Sequence, residues 1–141
     1  MKASRVQFYF DADVLGLAHV ICGLRHDCTY PGDPGAVIQG RERPPCLVDD
    51  PSTKDPDWLP VVTERGWLII TRDRHIARRP SELHAVRSYG ARLVAISGAE
   101  GTSKWNQLEI VMRQWRALEQ LTAKPGPFVV TATRSRLTRI L

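Results

Sequence analysis

Three short stretches of this sequence place aspartate where apolar residues stop. The run "FYFDADVLG" carries Phe8, Tyr9 and Phe10 straight into Asp11 and Asp13. "KDPDWLP" holds Asp55 and Asp57, and "WLIITRD" ends in Asp73. Carboxylates held close together repel one another unless a cation neutralises them. Magnesium and manganese are hard cations that favour such oxygen ligands. A cation held there lowers the pKa of water, orients it, and offsets the charge that develops as a phosphodiester is hydrolysed. That chemistry needs no histidine or cysteine nucleophile. Asp11, Asp55, Asp57 and Asp73 are therefore candidate catalytic and metal-binding residues for Mg2+ or Mn2+, with Asp13 as a further candidate ligand.

Each acid also has a structural reading. Asp13 precedes an apolar helical pattern and reads first as its N-cap, second as a ligand. Asp55 precedes Pro56, and proline just after an aspartate cap is a common helix start. In that register Asp57 is left for a metal, although Pro60 then removes an intrahelical hydrogen bond. With Asp57 as the cap, Pro60 falls in the first turn, where no intrahelical donor is needed, and Asp55 becomes the freer acid. Both registers stay open on the sequence. Asp11 and Asp73 sit at no obvious cap, which favours a functional role for them.

Positive charge surrounds the last acid. "TRDRHIARRP" puts Arg72, Arg74, His75, Arg78 and Arg79 beside Asp73, a composition suited to a phosphate backbone. The plain alternative is a solvated charge run. The chain as a whole carries +5, and 16 of its 20 basic residues are arginine, which suits bidentate contacts to phosphate or carboxylate. Cys22, Cys28 and Cys46 are odd in number and lack a CxxC pair, so they read as reduced thiols. The four histidines form no HExxH arrangement.

These side chains need elements to position them. Arg5–Phe10 reads as a short buried strand. Val14, Leu17, Ala18, Ile21 and Leu24 then recur at helical spacing. "HDCTY" has room only for a short strand. Pro31–Pro56 carries six of the ten prolines with little periodicity and reads as a long surface loop. "DWLPVVTERG" predicts a short helix ending at Gly66, and Trp67–Asp73 a β-rich run that stops in charge. "PSELHAVRSYG" predicts a helix with Pro80 near its start and Gly90 past its end. "ARLVAIS" is another buried strand. Thr102 or Ser103 would cap a long helix, "KWNQLEIVMRQWRALEQLTA", broken by "KPGP"; "FVVTATRSRLTRIL" ends the chain as a strand or a hairpin. On the long helix, Trp105, Leu108, Met112 and Trp115 form a stripe that reads as core, with a dimer or partner surface as the sharper alternative. Trp58 and Trp67 read as core.

Strands alternating with helices favour an α/β fold with a mainly parallel central sheet, and in such sheets functional residues collect at the carboxyl ends of strands. The 141 residues fit one domain, 1–141. No run approaches the roughly 20 apolar residues of a membrane span. The N-terminus shows no signal-peptide pattern, so the expected compartment is the cytoplasm.

The ordered set "FYFDAD", "DPDWL" and "TRD" resembles the PIN-like nucleases, and is most similar to the small bacterial proteins grouped with VapC-type toxins. Asp55–Gly98 carries the likeness most strongly: the acidic Trp-Leu helix start, the Gly-Trp before the strand, and the Thr-Arg-Asp at its end. The resemblance implies a three-layer α/β/α fold, an acidic site for Mg2+ or Mn2+, and endoribonuclease activity on RNA. It also implies a toxin–antitoxin setting with a cognate antitoxin as partner; a homodimer is the other candidate assembly. By position, Asp11 is the first-strand acid, Asp55 and Asp57 hold the middle place, and Asp73 is the late acid. The rival reading is a non-catalytic PIN-like module that binds RNA or protein through the basic run. A receiver-like phosphate-handling domain would want a lysine at the end of a late strand, and "LVAISG" offers none.

Overall fold

The computed structural model describes residues 2–73, 75, 78–97 and 103–141, with the side chain of Asp55 left out. Its elements follow in order: β1 (Lys2–Ala3), β2 (Phe8–Phe10), α1 (Leu15–Leu24), β3 (Cys28–Thr29), β4 (Ala36–Ile38), β5 (Arg41–Arg43), α2 (Asp55–Glu64), β6 (Leu68–Thr71), α3 (Pro80–Tyr89), β7 (Arg92–Ile96), α4 (Lys104–Leu121), β8 (Phe128–Ala132) and β9 (Leu137–Arg139). The central sheet has the order β3-β2-β6-β7-β8-β9. Every pairing from β3 to β8 is parallel, and only β9 returns antiparallel. The C-terminal "FVVTATRSRLTRIL" is thus a hairpin.

Strand alternation builds the layers, because successive side chains leave opposite faces. Phe8, Phe10, Leu68, Ile70, Val94, Ile96, Phe128 and Val130 point to one face and bury α1 and α4 residues such as Leu17, Ile21, Ile110 and Leu118. Tyr9, Ile69, Leu93 and Val129 point to the other, against Trp58, Leu59, Val62 and Val86 of α2 and α3. The sheet is therefore covered by helices on both faces, as a buried parallel sheet requires.

Local chemistry explains most of the boundaries. Ser103 caps α4 by accepting from the Asn106 N–H at 3.1 Å. Gly90 ends α3 at φ 72°, a left-handed position that glycine adopts without a Cβ penalty. The expected strand Arg5–Phe10 is shorter, since only Phe8–Phe10 pair.

Two expectations are corrected. The segment from Pro31 to Pro56 is not simply a surface loop. It forms the β4–β5 hairpin, which pairs with β1 as a second, three-stranded sheet. A fully buried ion pair anchors it: Arg43 Nε donates to Asp33 Oδ2 at 2.7 Å, and Arg43 Nη1 donates to the carbonyls of Cys22 and Arg25 at 2.9 and 3.0 Å. Cys46 and Val48 join the α2–α3 core. The α4 stripe also splits. Trp115 packs on Phe8, with ring centroids 4.6 Å apart, whereas Trp105 and Met112 are 78% and 68% exposed. Trp58 is buried and Trp67 is packed against the same core, as expected.

Candidate metal and nucleic-acid site

β2 and β6 are parallel neighbours with Phe10 opposite Ile70, so the residues after them leave the sheet side by side. The Asp11 N–H donates to the Ile70 carbonyl at 2.9 Å and carries the ladder one residue past β2. The chain then makes a single 3-10 turn, Ala12–Val14, before α1 begins. Asp11 caps that turn, its carboxylate accepting from the Ala12 N–H at 2.6 Å.

Asp13 reaches across to the end of β6. The buried Thr71 hydroxyl lies 2.9 Å from Asp13 Oδ2 and 3.2 Å from Asp11 Oδ2. The Arg72 N–H also donates to Asp13, at 3.1 Å. The same hydroxyl accepts from the Asp73 N–H at 3.1 Å. A threonine hydroxyl has one proton, so it can donate to only one of the two carboxylates at a time. Thr71 thus ties together the exits of β2 and β6, and two carboxylates converge on it.

The capping expectation for these residues is reversed. Asp13 does not cap α1, whose N-cap is Val14 with no side-chain bond, and the capping acid is Asp11. The inserted 3-10 turn is the cause. It delays the helix by three residues and leaves Asp13 beside Thr71.

Asp73 sits two residues beyond Thr71, and its carboxylate is turned toward its own loop. Oδ1 accepts from the His75 N–H at 3.2 Å, and Oδ2 pairs with Arg79. Arg79 also pairs with Glu82 through Nε at 2.6 Å. Arg72, His75 and Arg78 are exposed near the same strand end. Arg74, the remaining member of the expected basic run, lies outside the described residues.

The middle acids follow neither expected register. Lys54 is the N-cap of α2 without a side-chain bond, so Asp55 and Asp57 both lie in the first turn. Pro60 lies inside the helix, where it has no N–H for the carbonyl of Pro56. Burial of Trp58, Leu59 and Val62 sets this helix start rather than a cap. The Asp57 side chain is exposed, and that of Asp55 is outside the described residues. Among the described residues, no three His, Cys, Asp or Glu side chains stand close enough to hold one metal ion together. The pair that the fold does bring together, Asp11 and Asp13, offers hard oxygen donors of the kind magnesium and manganese take.

Thr71 was not among the sequence candidates. The signal was the threonine of "TRD" itself, a hydroxyl at the strand end facing the exit of β2. The Lys104 side chain lies over Gly16, its Cδ 3.0 Å from where a Cβ there would stand, so α1 and α4 approach closely at that glycine. The thiols stay apart from this chemistry. All three are buried, and burial pushes the Cys22 thiol up to about 12.

A family model described as a PIN like domain matches residues 7–98. That span contains β2, α2 and β6 with all five candidate aspartates. Over 90 residues the chain is 28% identical to a protein of Mycobacterium tuberculosis (strain ATCC 25618 / H37Rv) named "Putative ribonuclease VapC45". The match covers 64% of this chain and 64% of that protein's length. No solved structure matches the chain.

Proposed function

The chain belongs to the PIN-like domain family, and on that premise we propose that it is a metal-dependent endoribonuclease, the toxin of a toxin–antitoxin pair, working as one domain. The observation that carries this reading is the convergence of Asp11 and Asp13 on Thr71, at the carboxyl ends of two adjacent parallel strands. Ligands of open α/β sheets gather at that edge.

Asp11 and Asp13 would hold Mg2+ or Mn2+, with Asp73 and one of Asp55 and Asp57 completing the acidic set. The bound ion supplies a water of lowered pKa and compensation for charge on the phosphate oxygens. The reaction forms one bond from a water oxygen to phosphorus and breaks one phosphorus–oxygen ester bond, the leaving oxygen taking up a proton. The Thr71 hydroxyl donates to one of the two carboxylates at a time and keeps both at the ends of β2 and β6. Arg72 holds Asp13 through its backbone and presents its exposed guanidinium at the same edge. Arg78 and His75 extend that positive rim, and Arg79 steadies Asp73. RNA is the proposed substrate because the relative's printed name is that of a ribonuclease.

An antitoxin is the proposed protein partner. The exposed Trp105 and Met112 on α4, with Leu24 exposed on α1, form the apolar surface such a partner or a second copy would cover. Among the described residues, no helix is long and apolar enough to cross a membrane.

The test is RNA cleavage titrated with Mg2+ and Mn2+ for the wild type, Asp11→Asn and Asp73→Asn. The expected result is cleavage by the wild type that needs the metal, and a fall of 100-fold or more in Asp11→Asn, about 2.7 kcal/mol or above in barrier. Equal cleavage by all three would sink the site. Binding of RNA with no cleavage in either metal would favour the non-catalytic module instead.

A further inference from the structure

The edge that carries the acids continues across the sheet, and it ends in arginine. β6, β7 and β8 are parallel, with Thr71 opposite Ala95 and Ala95 opposite Thr131. The ladder extends past Ile96, where the Ser97 N–H donates to the Ala132 carbonyl at 3.0 Å. Counting along this register, Asp73 is level with Thr133, the residue that opens the β8–β9 turn. Two strand spacings separate β6 from β8, about 10 Å. Arg134, Ser135 and Arg136 form the turn, and all three are exposed.

The turn is held firmly. The Thr133 N–H donates to the Arg136 carbonyl at 3.0 Å, and Thr133 Oγ1 accepts from the Arg136 N–H at 3.3 Å. Gln114 Nε2 donates to the Thr133 carbonyl at 2.9 Å and fixes the turn to α4. Arg134 and Arg113 each pair with Glu109 at 3.3 Å on the exposed side of the turn and α4. Exposed pairs of this kind are weak competitors for a phosphate.

We propose that the β8–β9 turn is a second phosphate-binding station, in which Arg134 and Arg136 grip the backbone of a single-stranded RNA whose scissile phosphate lies at the acids. The inference deepens the ribonuclease reading and rests on it for the identity of the strand. The basic run around Asp73 would hold the phosphates nearest the cut, and the turn would hold those further along the strand. A guanidinium suits the task because its fork matches phosphate oxygens.

The experiment uses the full chain. RNA binding is followed by fluorescence anisotropy with a labelled 12-nucleotide oligouridine in the Asp11→Asn background. Titrations run from low to moderate salt, with and without Arg134→Gln/Arg136→Gln. Each phosphate contact to a single strand contributes roughly 0.7 to the slope of log K against log salt, so the double variant should lower that slope by about 1.4. Arg136→Gln alone leaves the Arg134–Glu109 pair in place and should lower it by about 0.7. In otherwise wild-type protein, the double variant should raise KM for the 12-mer and leave kcat and the cleavage of a 3-mer unchanged, because a 3-mer is too short to reach the turn. An unchanged slope would overturn the proposal. So would equal loss on the long and the short RNA, which marks a disturbance of the acids rather than a lost grip. Full cleavage by Asp11→Asn would count against the acidic site, whereas the salt slope decides the turn separately.

Discussion

Replacing Thr71 by valine tests the junction at the centre of the site. Valine keeps the shape and β-branching of threonine and removes only the hydroxyl. That hydroxyl meets Asp13 at 2.9 Å and Asp11 at 3.2 Å, and accepts from the Asp73 N–H at 3.1 Å. A hydrogen bond to a charged group contributes about 1.5–3 kcal/mol, and a buried donor left without its partner costs about 1–3 kcal/mol. Asp11 and Asp13 are partly open to water, which lowers the first figure and lets water replace part of the bond. A net loss of about 2 kcal/mol is expected, or ~6–8 °C in Tm for a chain of this size. The effect on metal binding should be of similar size and is read independently of stability. Groups that orient metal-binding carboxylates are worth about 10–100-fold in affinity, so Mn2+ should bind that much more weakly to Thr71→Val. Isothermal calorimetry measures the Kd, and thermal melting of the same samples measures Tm. Thr71→Ser restores the hydroxyl and should recover most of the affinity. A Thr71→Val protein that binds Mn2+ within twofold of wild type would refute the positioning role, whatever its Tm.

Two further outcomes concern the frame. Arg43→Met should destabilise the chain by about 3–5 kcal/mol, because it leaves the Asp33 carboxylate buried without its cation; adding Asp33→Asn should recover part of that loss, and a near-neutral single variant in urea unfolding would show that the pair does not anchor the β4–β5 segment. Cys22 has a folded pKa of about 12 against about 8.5 for a free thiol. Its stabilisation is complete below pH ~8.5 and is lost as pH rises toward the folded value, since only the unfolded chain ionises there. Iodoacetamide at pH 8 should label Cys22 in urea and leave it unlabelled in buffer by mass spectrometry; rapid labelling of the folded protein would contradict that burial.

The layers were legible because they depend on local patterns. The 3.6-residue spacing of Leu17, Ala18 and Ile21, the short apolar runs of β6 and β7, and Gly90 after α3 all report structure within a few residues of themselves. The segment between Pro31 and Pro56 was not legible for the opposite reason. β4 and β5 are three residues each, too short to show alternation, and β1, to which they pair, is only two residues long and stands far away in sequence. What holds the segment is Asp33 meeting Arg43 beneath the end of α1, a contact between two charged residues that composition alone assigns to the surface. Burial of an ion pair is a tertiary fact: each partner is stable there only because the other is present.

The same division runs through the site. Apolar runs that stop at Asp11 and Asp73 locate the ends of β2 and β6, and parallel pairing then puts both ends on one edge. Which way each carboxylate faces depends on less. One extra 3-10 turn before α1 is enough to make Asp11 the cap and to send Asp13 toward Thr71. One arginine six residues on is enough to hold Asp73 in its own loop. In α2 the favoured caps lost to packing: burying Trp58, Leu59 and Val62 outweighs the roughly 1 kcal/mol that an aspartate cap contributes. Thr71 was hidden for a related reason. A threonine closing a strand reads as β-propensity, and its hydroxyl acquires a role only when β2 lies alongside, 60 residues away in the chain. A carboxylate can therefore be assigned to an edge from its own neighbours, whereas its partner there is chosen by the strand next door.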